Sequence, residues 1–441
     1  MNYKTPGVYV EEISKFPPSV AQVETAIPAF IGYTEKGTLN EPTRITSLME
    51  YETLFGAAYE EISGISIAVS DNTVTATVTQ SSISDYKMYY ALQMYFANGG
   101  GPCYIVSVGD YEDSIDKIKL KAGLDLLRKE DEPTLIVFPE AEALGVTNAY
   151  VLYNDALDQA EDLGDRFVIM DVVGDLAADV TAFRTGVSAT GLKYGAAYYP
   201  HLETSLSYSY KDANVSVTGY SGVTTLSALK DANSALYNQA VKAIAAKSVV
   251  LAPSSAIAGV YAKVDAATGV WKAPANVALN YVVAPTVKIS HSDQESLNID
   301  TTAGKSINAI RSFVGKGTLV WGARTLDGNS NEWRYVSVRR LFNMVEESVS
   351  KATERFVFES NDARTWVRVK AMIENYLNQL WISGALAGST PEQAYYVSVG
   401  LNQTMSAQDI LEGKMIVEIG MAAVRPAEFI VLRFSHKLQE A

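Results

Sequence analysis

The sequence is poor in the residues that redox, metal and hydrolytic chemistry require. It has one cysteine, Cys103, in 441 residues, so no intramolecular disulfide can form. Cys103 opens the apolar run Cys103-Tyr104-Ile105-Val106 and reads as a buried thiol. Histidine is nearly as scarce, with His201, His291 and His436 only. No Cys/His spacing fits zinc and no Asp-rich loop fits calcium, so no metal or other cofactor is expected. Long hydrophobic runs are also missing. None approaches the roughly 18 residues that span a bilayer. The opening Met1-Asn2-Tyr3-Lys4-Thr5-Pro6 has no apolar signal core, which predicts folding in the cytoplasm with no membrane insertion. Positive charge is in deficit, with 36 Lys+Arg against 50 Asp+Glu and a formal net charge of −14. A nucleic-acid binder needs a basic face to displace counterions, so that class is disfavoured. An acidic chain suits a soluble particle or a partner with basic patches.

Catalytic motifs are incomplete. A hydrolase triad needs a nucleophile, a base and an orienting acid that converge. His201 falls at the edge of a Tyr/Ser-rich stretch and His436 in the tail. Ser290-His291-Ser292-Asp293 is the one tempting local cluster, but neighbours in a polar loop do not easily converge on one substrate. Gly304-Lys305-Ser306 resembles the end of a phosphate loop, yet Ile299 stands where the first glycine belongs, and it reads as a polar turn. Gly99-Gly100-Gly101-Pro102 precedes a strand instead of joining strand to helix, so it is a helix stop and not a phosphate cradle.

What is present is ordinary globular material. Hydrophobic residues make up 48% and charged residues 20%, and the length fits two or three domains. Tyrosine stands out, with 26 Tyr against 13 Phe, and suits half-buried surfaces and subunit interfaces. Val8-Tyr9-Val10-Glu11-Glu12-Ile13 reads as a lone strand between Pro6-Gly7 and Pro17-Pro18. It has nothing nearby to pair with, so it must pair at long range or on another molecule. Phe30 to Tyr33 is a buried strand, Leu48 to Phe55 a helix stopped by Gly56, and Asp71-Asn72 the turn of an inserted hairpin. Met88, Ala91, Leu92, Tyr95 and Phe96 share a helical face.

Strands and helices then alternate. Tyr104–Val108, Leu135–Phe138, Arg166–Met170 and Tyr194–Tyr199 read as strands; Ile115–Arg128, Ala149–Leu163 and Ala177–Arg184 read as helices. Continuous apolar strands separated by helices predict a parallel sheet covered on both faces. Leu202 to Thr225 reads as an insertion or long loop, and Val249 to Ala252 as a return to the sheet. After Trp333 two helical stripes follow. One is Val338, Leu341, Phe342, Val345, Val349 and Ala352, with Glu347 and Lys351 paired on the other face. The second is Trp366, Val369, Ile373, Leu377, Leu380 and Trp381, ending at Gly384. Thr390-Pro391-Glu392 is a helix start, and Met415–Ile419 and Glu428–Phe434 are strands.

Several segments resemble the contractile tail-sheath family. They are Thr5 to Glu12; Pro17-Pro18-Ser19-Val20 running on to Ile27-Pro28-Ala29-Phe30-Ile31-Gly32; Ala258 to Ala262 with Gly269 to Asn276; Ile307 to Arg311 with Val320-Trp321-Gly322-Ala323-Arg324-Thr325-Leu326; Trp333 to Leu341; Phe358 to Asp362; and Val424 to Phe429. They occur in family order along nearly the whole chain, and Leu202–Ala232 matches least.

The resemblance implies an α/β, subtilisin-like but non-catalytic doubly wound core with β-rich insertions, an α+β C-terminal sheath domain and extended terminal β-arms. It divides the chain into an N-terminal arm (1–27), a core (28–330, insertions near 57–85 and 201–230), a C-terminal domain (331–426) and a C-terminal arm strand (427–441). The arms, Val8, Tyr9, Val10, Glu11, Glu12, Ile13 and Phe429, Ile430, Val431, Leu432, Arg433, Phe434, would complete a small sheet on a neighbouring subunit. The implied partners are further copies in a helical homopolymer of stacked hexameric rings, an inner tube protein, baseplate and terminal cap proteins, and other sheath paralogues. The implied product is a phage tail-like particle assembled in the bacterial cytoplasm and released by lysis, closer to extracellular contractile injection systems than to the largest phage sheaths. The tube contact is expected on a C-terminal-domain helix, with Arg339, Arg340, Glu346, Glu347, Lys351 and Glu354 as candidates; solvated helix charges are the plain alternative. Competing classes are the sheath of a true phage virion, a serine hydrolase on the α/β core, and a surface-layer or adhesin protein, the last disfavoured by the missing signal core.

Overall fold

The structure is a computed structural model that describes residues 19–71, 73–188 and 190–432. The chain divides into two compact units. Among the described residues the larger holds 24–344 and 425–432, the smaller 19–23 and 345–424.

The larger unit is built on a nine-stranded sheet. Its strands are β1 (Pro28–Tyr33), β2 (Thr43–Ile45), β3 (Cys103–Gly109), β4 (Leu135–Val137), β5 (Phe167–Asp171), β6 (Gly195–Tyr199), β7 (Val277–Ala278), β8 (Ile307–Phe313) and β9 (Gly317–Val320), in the order β7-β9-β8-β6-β5-β4-β1-β3-β2. From β8 through β6, β5, β4 and β1 to β3 all pairs are parallel. Antiparallel strands close both edges. The parallel strands are mostly apolar because both faces are covered, and successive side chains feed alternate cores. Phe30, Ile105, Leu135, Val137, Phe167, Ile169 and Tyr198 enter one core, beneath helices α1 (Met88–Ala97) and α4 (Ser254–Ala267). Ala29, Ile31, Tyr104, Val106, Ile136, Val168, Met170, Ala197 and Tyr199 enter the other, beneath α2 (Lys117–Leu126) and α3 (Gly145–Leu163). The mixed α/β layering expected from the alternating runs is present.

The stretch after Leu202, read as an insertion or long loop, is a structured insertion, and two placements need correction. Leu202–Thr204 is the middle strand of a separate three-stranded sheet, and Val250–Leu251 joins that sheet instead of the central one. Ser216–Thr218 pairs in parallel with Ile65–Ser70 of the hairpin Ile65–Ser70/Thr73–Val78, so the two insertions form one packed module. The strand placed at Met415–Ile419 lies at Glu418–Met421, where it pairs with Tyr395–Ser398. Helix α4, Leu226–Ala232 and Ser234–Ala245 had no helical reading in the sequence.

Helix α5 (Val336–Thr353) starts in the larger unit and ends in the smaller. The smaller unit is organised by α6 (Ala363–Ile382). Asp362 caps α6 by accepting the backbone N–H groups of Arg364 and Thr365. Val369, Met372, Ile373, Tyr376, Leu377 and Leu380 fill its buried stripe, as the apolar period predicts.

Candidate assembly interface

The carboxyl ends of the parallel strands are where an α/β sheet ordinarily binds ligands, above all where strand order reverses. That point lies between β1 and β4 here, and the chain fills it with its own carboxylate. Glu140, fully enclosed after β4, accepts the Tyr33 N–H on Oε2 at 2.8 Å and the Lys87 and Met88 N–H groups on Oε1 at 3.0 and 3.1 Å. Burial pushes its pKa up to about 8 against the pull of these donors. Gly32 lets this carboxylate approach β1: a Cβ there would sit 2.4 Å from Glu140 Oε2.

The chemically tempting residues are likewise committed to structure. His201 follows β6 directly, and both ring nitrogens face carboxylates, Nδ1 with Asp175 at 2.8 Å and Nε2 with Glu142 at 3.0 Å. Burial disfavours its charge, but those two acids outweigh it and raise its pKa to about 10. Neither nitrogen is left for a serine. Asp171, at the end of β5, accepts the Ser254 N–H at the start of α4. Ser290 and Asp293 form a capping box on helix His291–Asn298, so the Ser-His-Ser-Asp cluster is a helix start and not a polar loop. Lys305 is buried, and its ammonium donates to the carbonyls of Arg184 and Val187. Burial pushes the Cys103 thiol up. Among the described residues there is no cluster of three or more His, Cys, Asp or Glu able to hold a metal ion, and no helix is long and apolar enough to cross a membrane.

The charges of α5 divide into two sets. Arg339 and Arg340 are 2% and 4% exposed, which departs from their expected place against a tube. The first turns of α5 are enclosed on every side, so each guanidinium has internal partners. Arg339 donates to Asn343 at 2.7 Å and lies over the Trp333 ring at 4.3 Å. Arg340 pairs with Asp265. Glu346, Lys351 and Glu354 are exposed, and Lys351 pairs with the half-buried Glu347 at 2.7 Å.

The C-terminal segment is different in kind. Residues 425–432 form no strand, and Phe429, Ile430, Val431 and Leu432 are 67%, 79%, 76% and 72% exposed. A β-prone apolar run in this state is a template for pairing with another chain. The arm positions Val8–Ile13, and Arg433 and Phe434, lie outside the described residues. In the smaller unit, Tyr395–Ser398 and Glu418–Met421 make a two-stranded sheet; among the described residues neither has a second partner strand. Sequence patterning gave one strand of this sheet, placed at Met415–Ile419, and missed Tyr395–Ser398, which is too short to carry a clean alternation.

The described body is thus a doubly wound α/β sheet whose chemically tempting side chains are committed to internal contacts, followed by an exposed apolar segment. Residues 329–437 match the family model described as the phage tail sheath C-terminal domain. A contracted-state sheath complex of the extracellular contractile injection system PVC is 31% identical, with TM-score 0.69, covering 100% of this chain and 99% of that one. The helical sheath of the anti-feeding prophage AFP, also in the contracted state, is 34% identical, with TM-score 0.69, covering 99% of this chain and 100% of that one. The curated tail sheath protein of Vibrio phage KVP40 is 23% identical over 325 residues, which are 71% of this chain and 43% of that protein. The chain thus spans less than half the length of that curated relative. The chain belongs to the contractile sheath family, and it is a structural protein and not an enzyme.

Proposed function

We propose that this chain is the sheath subunit of a phage tail-like injection machine. It polymerises around an inner tube in an extended, metastable state and contracts to drive the tube through a target envelope. The observation that carries this is the full-length similarity to two contracted sheaths. The sheath is a helical homopolymer of stacked hexameric rings, built in the bacterial cytoplasm, released by lysis and ended by baseplate and cap proteins. Similarity to an AFP baseplate structure, 34% identical, supports the baseplate contact. The α/β body is a subtilisin-like scaffold without catalysis. Identity is higher to the injection-system sheaths than to the phage sheath of KVP40, which favours the injection machine over a true virion.

The subunits are woven by their ends. Val8–Ile13 of one copy and Phe429–Phe434 of another add to the Tyr395–Ser398/Glu418–Met421 sheet of a third. Main-chain hydrogen bonds hold the mesh and alternating side chains set its register. Exposure of the Phe429–Leu432 run supports this reading. Glu346, Glu347, Lys351 and Glu354 remain the tube-contact candidates, since Arg339 and Arg340 are buried. The test is a variant lacking residues 1–18. It is expected to sediment as a folded monomer that forms no tubes under the electron microscope. Normal tubes from that variant would overturn the woven-arm reading.

A further inference from the structure

Two of the family-like segments, Val320 to Leu326 and Val424 to Phe429, meet in space, and the meeting is a single carboxylate in a socket. Glu428 Oε1 accepts Arg324 Nε at 2.9 Å and Asn298 Nδ2 at 2.7 Å. Its Oε2 accepts Arg324 Nη2 at 2.7 Å and Tyr335 OH at 3.0 Å. Each oxygen accepts two hydrogen bonds, and the guanidinium grips both side-on in the geometry that best combines strength with direction. Among the described residues, every hydrogen bond between 425–432 and the body runs through this one side chain.

The socket is built to receive an anion. Arg324 is 3% exposed, and its backbone is bracketed by Asn308, whose Oδ1 accepts the Arg324 N–H and whose Nδ2 donates to the Arg324 carbonyl, both at 2.8 Å. Its Nη1 reaches the carbonyls of Asn298 and Gly328 at 3.3 Å each. Three separate places in the fold supply the donors: the end of helix His291–Asn298, the turn after β9 and the residue before α5. A guanidinium enclosed this way needs a carboxylate partner. Glu428 supplies it, and its ionised form is held below the usual carboxylate range because Arg324, Asn298 and Tyr335 together outweigh burial.

The exposed run begins at the very next residue, Phe429. Side chains of a strand alternate between faces, so a slip of one residue turns every side chain to the wrong side. We propose that Glu428 is the register pin of the C-terminal arm. By fixing to the body the last residue before the donated strand, it decides which of Phe429–Leu432 face the accepting sheet and how far apart joined subunits stand. This rests on the woven-sheath reading and assigns Glu428 and Arg324 as positioning residues within it.

The test uses the full chain in two measurements. In the monomer, spin labels at His291→Cys and Phe429→Cys report whether the arm root is fixed. One narrow distance in the otherwise native chain, broadened by Glu428→Gln, is expected. Equally broad distributions in both overturn the pin, whether or not the chain assembles. In assembly, Glu428→Gln is expected to fold with native circular dichroism yet give few or irregular tubes. The shifted variant Ala427→Glu/Glu428→Ala, which refills the socket one residue early, is expected to lose the native helical lattice. Native lattices from both variants overturn the proposal, as does a Glu428→Gln chain that fails to fold, since the pair would then be a stabilising contact only. Narrow labels in a native chain that forms no tubes would sink the sheath reading while leaving the pinned root standing.

Discussion

Arg340 and Asp265 form a buried, two-pronged ion pair, Nη2 to Oδ2 at 2.5 Å and Nη1 to Oδ1 at 3.1 Å, and the same pair holds Thr25. Thr25 Oγ1 donates to Asp265 Oδ2 at 2.6 Å, and the Thr25 carbonyl accepts from Arg340 Nη2 at 2.8 Å. The guanidinium also lies over the Tyr261 ring at 4.6 Å. The entry of the N-terminal segment, helix α4 and the start of helix α5 are therefore joined at one point. Replacing Arg340 by Met would strand the Asp265 carboxylate in an enclosed site. Urea unfolding should show a loss of roughly 3–5 kcal/mol, the usual cost of breaking a buried pair. Arg340→Met combined with Asp265→Leu should recover much of it, and a double variant as unstable as the single one would contradict this account.

Alkaline stability should depend on His201. Its folded pKa is raised to about 10, so the charged imidazolium is favoured by the fold. The contribution is complete below the ordinary value of about 6.5 and is lost as pH climbs through the folded value. Melting temperature should therefore fall between neutral pH and about pH 10 more steeply in the native chain than in His201→Gln. Parallel profiles for the two would show that His201 carries no such linkage.

The filled crevice between β1 and β4 predicts a coupling between Gly32 and Glu140. A methyl group at position 32 would meet Glu140 Oε2 at 2.4 Å and Met88 Cε at 2.8 Å. Gly32→Ala should cost about 1–3 kcal/mol, as overpacking does. Glu140→Ala strands three N–H groups, at about 1–3 kcal/mol each if they stay dry. In the Glu140→Ala background the added cost of Gly32→Ala should shrink. Additive costs in denaturant melts would rule out direct contact.

Reversing the pair, Glu347→Lys with Lys351→Glu, keeps an i,i+4 ion pair on α5 and should change stability by only a few tenths of a kcal/mol. Assembly on a preformed tube, followed by co-sedimentation, should be impaired. Unchanged co-sedimentation removes both residues from the tube surface.

Many of the local elements are legible in the order of residues alone. Leu135–Val137 and the first four residues of Phe167–Asp171 are continuously apolar because a sheet covered on two sides leaves no wet face, and that is visible without coordinates. Leu48–Phe55 with Gly56, and the hairpin around Asp71, follow from helix-stop and turn chemistry within a few residues. Contacts between distant segments were decided only by tertiary structure. Ser216–Thr218 completes the sheet begun at Ile65–Ser70, and nothing in either short strand names the other. Helix α4 is buried almost all round, so it carries no stripe, and periodicity is blind to it. For the same reason Arg339 and Arg340 look like surface charges in sequence and are interior ones in the fold. Whether a charge meets water or a partner depends on what packs over it, and Arg340 is covered by Thr25, Tyr261 and Asp265, which are far from it in the chain.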